Sequence, residues 1–267
     1  MLETNKSKIN ITQNEQEIIE NNDINDNNLF ISPKIELISN EDKEYFLSEI
    51  KKLNTINSKY ILNIEKYSIE KDEKGEKEIG SFLINYYKNN LEKIIYELNF
   101  LNSRNIWKIF IQIILGLQSL YLNNIFVKYF IPKNIFLDNE NNIKIAGTND
   151  FLDFTENDEE IFLYFPENEE INEKSNIFSL GCILYELVLK KKPSKKAIFD
   201  LNSENCENDF KIILSKLLCE KEKRLTLNEI LLEPVIKKII IEMNFFDEII
   251  KNNVKGKNNI YNIFNRF

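Results

Sequence analysis

Along residues 1–38 apolar and polar positions alternate in short runs, KINIT, EQEII and LFISPKIEL, separated by clusters of Asn and Asp. A period of two turns one face of an extended chain toward a core, and Asn and Asp favour turns, so this stretch predicts three strands. The period then changes. From Glu41 to Leu53, Phe46, Leu47, Ile50 and Leu53 recur at helical spacing, with Ser39 or Asn40 placed to cap the first turn. Two further strand-like runs, 60–69 and 79–87, flank the charged hairpin KDEKGEK, and a polar joint at 88–90 closes this part. Beyond the joint helical patterns take over, at 106–122, 174–189, 209–218 and from 227 to about 250. Between the first two, the apolar runs IFLD and IKIAG around 139–142 predict a hairpin. The pattern is that of an α+β chain: a small strand-rich part with one helix, 1–87, and a larger, mostly helical part, 88–267.

Composition narrows what such a chain does. The 267 residues are 43% hydrophobic and 12% aromatic, enough for a large core, and 29% charged, as on a soluble surface. The 43 acids outnumber the 35 bases, and a net charge of −8 repels a phosphate backbone, so no nucleic-acid partner is expected. The three cysteines lack metal-ligand spacing and histidine is absent, which leaves no zinc site or histidine-based triad and predicts buried free thiols. The most apolar run, 106–122, is interrupted by Lys108, Gln112 and Gln118 and is short for a bilayer. No membrane association is expected, and without a secretory leader in MLETNKSKIN the expected location is cytoplasmic or nuclear.

The order of elements resembles the eukaryotic protein kinase fold, which has a small β-rich N-lobe and a larger helical C-lobe. Local phrases carry the resemblance. WKIFIQIILGLQSLYLNNIFVKYFIPKNIFLDNENNIKI is similar to the kinase run in which a helix precedes a catalytic loop of the form HRD-x-KP-x-N and two short strands. EKSNIFSLGCILYELVLKKKP resembles D-x-WSLGC-x-LYEL, EKRLTLNEILLEP resembles R-P-T-x-x-E-I-L, and YFPENEE stands between them where kinases carry A-P-E. The likeness covers about residues 8–240, and its phrasing is closest to the NIMA-related and similar Ser/Thr kinases.

Phosphoryl transfer from ATP requires metal ions on the β- and γ-phosphates, a residue that orients the acceptor hydroxyl, and cations on the phosphates. By resemblance, HRD falls on Val127, Lys128 and Tyr129, so the base aspartate is replaced by a phenol with an ordinary pKa of about 10 and no charge at neutral pH. The loop lysine becomes Ile131. The metal-binding DFG falls on Gly147, Thr148 and Asn149, and Gly147 offers no carboxylate to magnesium. The glycine-rich loop would lie near 10–15, yet the first glycine is Gly75. What the resemblance leaves for a nucleotide is Lys34, one residue from the aligned strand position Pro33, its helix partner Glu49, and Asn134, which matches the second-metal ligand.

The family's scaffolding positions are better kept. Glu167 matches the A-P-E glutamate and Arg224 the arginine that pairs with it, while Asn176 stands where an Asp bonds the catalytic-loop backbone. These replacements imply a catalytically inactive member that works as a scaffold or allosteric regulator through a protein partner. No cofactor is expected, although ATP binding without magnesium-dependent catalysis is compatible with the residues. Two other readings stay open: an atypical active Ser/Thr kinase in which Asp138, Asp150 or Asp153 serves the metal, and a nucleotide-binding module without catalysis.

Overall fold

The computed structural model describes residues 18–19, 29–31, 35–85, 87–97, 101–128, 130–146, 159–167, 169–194, 206–245 and 247–249. The expected strand KINIT lies outside them. Five strands, β1 (Ile18–Ile19), β2 (Leu29–Ile31), β3 (Ile35–Leu37), β4 (Ile64–Lys71) and β5 (Glu78–Asn85), form one antiparallel sheet. β5 is central. β4 pairs with it from Ile64↔Ile84 to Lys71↔Glu78, and β2 and β3 follow one another along its opposite edge, with β1 outside β2. Gly80, Phe82 and Ile84 alternate as the buried positions of β5, the period of two that its sequence shows.

The β4–β5 turn is closed by Asp72, whose carboxylate accepts the Glu76 and Lys77 backbone N–H groups at 2.7 and 3.1 Å. Gly75 supplies the positive φ, 72°, that the turn needs. Against the sheet lies α1 (Asn40–Asn54), capped by Ser39 in a reciprocal box with Asp42. Phe46, Ile50 and Leu53 bury its apolar stripe, with Phe46 edge-on to Tyr67 of β4 at 6.5 Å.

The second unit holds α2 (Leu91–Tyr96), α3 (Ser103–Tyr121), α4 (Glu173–Leu189), α5 (Asn208–Leu217), α6 (Leu227–Leu232) and α7 (Pro234–Glu242). It also contains a three-stranded sheet of β6 (Asn89–Asn90), β7 (Ile135–Leu137) and β8 (Ile143–Ile145). α3 and α4 form its interior, and from Ile106 to Leu120 only Lys108 of α3 escapes full burial. At Gly181 of α4 an added Cβ would lie 2.9 Å from Leu217 Cβ, so the glycine sets how closely α5 approaches.

Four features depart from the sequence pattern. The long helix expected from 227 breaks at Glu233, because Pro234 holds the residue before it extended, at ψ 133°, and opens α7 as its first residue. The strand expected from 60 begins only at Ile64. Segment 58–61 belongs instead to the helical unit, where Ile61 pairs in parallel with Ile145 and the Tyr60 carbonyl accepts the Ile145 N–H at 2.8 Å. α2 was not expected at all; Asn90 caps it, and six residues are too few to show a helical period. Of the free cysteines Cys182 is buried, but Cys206 and Cys219 are half-exposed. Among the described residues no helix is long and apolar enough to cross a membrane.

Candidate functional site

The chain leaves α3 through a turn at 122–124, where Asn124 takes a positive φ of 57°, and enters the loop that leads to β7. Ile125, Val127, Phe130 and Ile131 are all buried there, so apolar contacts on both sides of residue 129 fix the loop. A 3-10 turn at Pro132–Asn134 ends it, with the Asn134 N–H donating to the Ile131 carbonyl at 3.0 Å. The Asn134 carbonyl in turn accepts the Ala146 N–H at 3.3 Å, joining the loop to the residue after β8.

Asn176 holds the middle of the loop. It lies in the first turns of α4, fully buried, where its Oδ1 accepts the Val127 N–H at 2.9 Å and its Nδ2 donates to the Val127 carbonyl at 2.6 Å. The helix cap is not Asn176. α4 begins at Glu173, capped by Asn172 in a reciprocal box with Ser175, which frees the Asn176 amide for the loop.

The β7–β8 hairpin is locked by two side chains. Asp138 Oδ1 accepts the Glu140 and Asn142 N–H groups at 3.0 and 2.8 Å, and Gln112 of α3 accepts the Ile143 N–H at 3.1 Å while donating to Asn142 Oδ1 at the same distance. Asp138 is therefore a turn-former, and β7 separates it from Asn134 by roughly 10 Å of extended chain.

After the 3-10 turn at Glu159–Leu163, Tyr164 is 2% exposed and donates its hydroxyl to Glu186 of α4. Ser179 Oγ donates to the Tyr164 carbonyl at 2.7 Å. Glu186 is wholly buried and also accepts the Tyr96 hydroxyl at 2.7 Å, with Lys192 Nζ 3.3 Å away. Burial first, and the bond to Glu186 second, hold the Tyr96 phenol well above its ordinary range, so it stays a donor.

Arg224, 3% exposed, makes the ion pair expected of it with a different glutamate. Its Nη1 and Nη2 meet Glu169 Oε2 and Oε1 at 3.0 and 3.1 Å in a two-bond fork, and they also donate to the carbonyls of Lys174 and Cys219. Its guanidinium lies 5.0 Å from the Phe178 ring centre. Glu167, the partner expected by alignment, is exposed. Two glutamates follow Glu167 within three positions, and alignment by motif cannot tell which of them reaches the buried arginine.

Of the expected nucleotide contacts, Glu49 belongs to the first unit and Asn134 to the second. Glu49 is buried on α1 and pairs with Lys52 at 2.5 Å, one turn along its own helix. Lys34, Tyr129, Gly147, Asp150 and Asp153 lie outside the described residues. Ile131 and Asn134 stand together in the loop, 3% and 1% exposed. Among the described residues no group of three or more Cys, Asp or Glu is placed to hold a metal ion. Glu186, Glu169 and Asn172 were missed in the sequence; the only trace of Glu186 there is its place in the LYEL phrase.

Residues 18–236 match the family model of the protein kinase domain. No curated protein matches the chain.

Proposed function

The chain belongs to the protein kinase domain family, and from that premise we propose that it is a non-catalytic member, related to the Ser/Thr kinases, that acts by binding a protein partner. One observation carries this reading. The loop that serves catalysis in the family is fastened in place by Asn176 on Val127, yet the positions matched to its base and its cation are Tyr129 and Ile131, and Gly147 stands at the position matched to the metal-binding aspartate beyond β8. The support for the loop persists, while the charges it would support are absent.

Loss of a base and loss of a metal ligand each remove several kcal/mol of transition-state stabilisation, and about 1.4 kcal/mol is tenfold in rate. A magnesium nucleotide is poorly matched by the residues present. Ile131 is buried and apolar where the loop cation would stand, and Asp138, the nearest acid in the chain after Asn134, is committed to its turn. In this reading the protein needs no cofactor and works in the cytoplasm or nucleus as a scaffold or allosteric regulator of a partner protein.

The test is transfer of radiolabelled phosphate from ATP by the purified chain, with magnesium and with manganese, to a general protein substrate and to itself. The expected result is incorporation equal to the protein-free blank. Sustained transfer that Asp150→Ala abolishes would overturn the reading in favour of an active enzyme. A thermal shift with ATP, run with and without magnesium, separates nucleotide binding from catalysis.

A further inference from the structure

The described chain continues past residue 236, where the family match ends, and its last turn returns to a segment near the opposite end of the sequence. Phe245 and Ile249, 6% and 0% exposed, seat the helical turn at 247–249. The Phe245 N–H donates to the Ile240 carbonyl at 3.0 Å, and the Ile249 N–H to the Phe245 carbonyl at 3.1 Å. Between these anchors Glu248 presents one carboxylate to two donors of segment 58–61. Lys59 Nζ donates to Oε1 at 2.7 Å, and the Tyr60 hydroxyl donates to Oε2. The Lys59 ammonium also lies 5.0 Å from the centre of the Tyr60 ring.

Segment 58–61 connects α1 to β4 along the chain, and it also meets α3 and β8. An added Cβ at Gly116 of α3 would lie 3.3 Å from Tyr60 Cβ, and Lys144 of β8 donates its Nζ to the Lys59 carbonyl at 2.6 Å. Tyr60 is 2% exposed, so its hydroxyl needs a partner from the protein, and Glu248 supplies it.

We propose that the C-terminal turn is a latch: an intramolecular ligand whose Glu248 carboxylate holds Lys59 and Tyr60 down on α3 and β8. The state of the turn at 247–249 then sets how firmly the α1–β4 connector is held, whether or not the chain transfers phosphate. Releasing Glu248 leaves a buried phenol without its acceptor and an ammonium without its counter-charge.

Amide hydrogen exchange on the full chain tests this. In Glu248→Ala the Ile61 and Ile145 amides, bonded to the Ser58 and Tyr60 carbonyls, are expected to exchange about tenfold faster or more, as loss of a charge-assisted bond implies. The amides of Leu184 in α4 and Ile213 in α5 keep their rates. Glu242→Ala, which removes an exposed carboxylate 4.0 Å from Lys238 on α7, leaves all four amides unchanged. Unaltered exchange at Ile61 and Ile145 in Glu248→Ala would overturn the latch, as would equal acceleration in α4 and α5.

Discussion

The side-chain amide of Asn176 satisfies both backbone groups of Val127 at once, accepting the N–H at 2.9 Å and donating to the carbonyl at 2.6 Å, with both residues fully buried. A single side chain thus fixes the loop to α4 where water cannot substitute. In Asn176→Ala two buried backbone groups lose their partners, and destabilisation of about 2–4 kcal/mol is expected by urea unfolding. Asn176→Asp keeps the acceptor but faces a second oxygen toward the Val127 carbonyl, so it too is expected to destabilise rather than restore the family's loop.

Arg224 and Glu169 give a sharper comparison. Removing one member of a forked, nearly buried pair strands the other charge, so Glu169→Gln is expected to lose about 3 kcal/mol. Glu167→Gln, at an exposed position, changes stability by less than about 1 kcal/mol. Thermal unfolding of the two variants side by side decides which glutamate supports the arginine.

Ile131, which the resemblance sets at the place of the family's loop lysine, is only 3% exposed. Placing an ammonium there costs desolvation that no described carboxylate in the loop offsets, so Ile131→Lys is expected to lose roughly 2–4 kcal/mol at neutral pH. Chemical denaturation of that variant, together with its phosphate transfer, should show a weaker fold and transfer still at background.

Glu229 of α6 accepts the Thr226 backbone N–H and hydroxyl, and these bonds, the backbone one first, lower its carboxyl below the ordinary range. A carboxyl depressed on folding stabilises above its unfolded pKa, near 4.3, and that contribution is lost as pH falls through the folded value. The stability difference between the native chain and Glu229→Gln should therefore be present at pH 6 and shrink toward pH 3, as measured by urea midpoints.

The fold was legible where one physical signal dominated. α1, α3, α4 and α5 announced themselves because each has an apolar stripe long enough to show its period, and the β7–β8 hairpin because two apolar runs bracket a turn. α2 escaped notice with only six residues. At the site, the residue types in the loop could be read directly from phrases such as IPKN. Glu169 could not be singled out from Glu167, since both are glutamates in one acidic run.

The sequence alone determined the period of its elements and the family phrases, because these are properties of residue identity and spacing. Only the tertiary structure decided which groups meet: Asn176 with Val127, Arg224 with Glu169, Tyr164 and Tyr96 with Glu186, and Glu248 with Tyr60. Such pairs join residues up to 188 positions apart. They form because burial removes water as an alternative partner, so each buried polar group must take whichever partner the packing brings within reach.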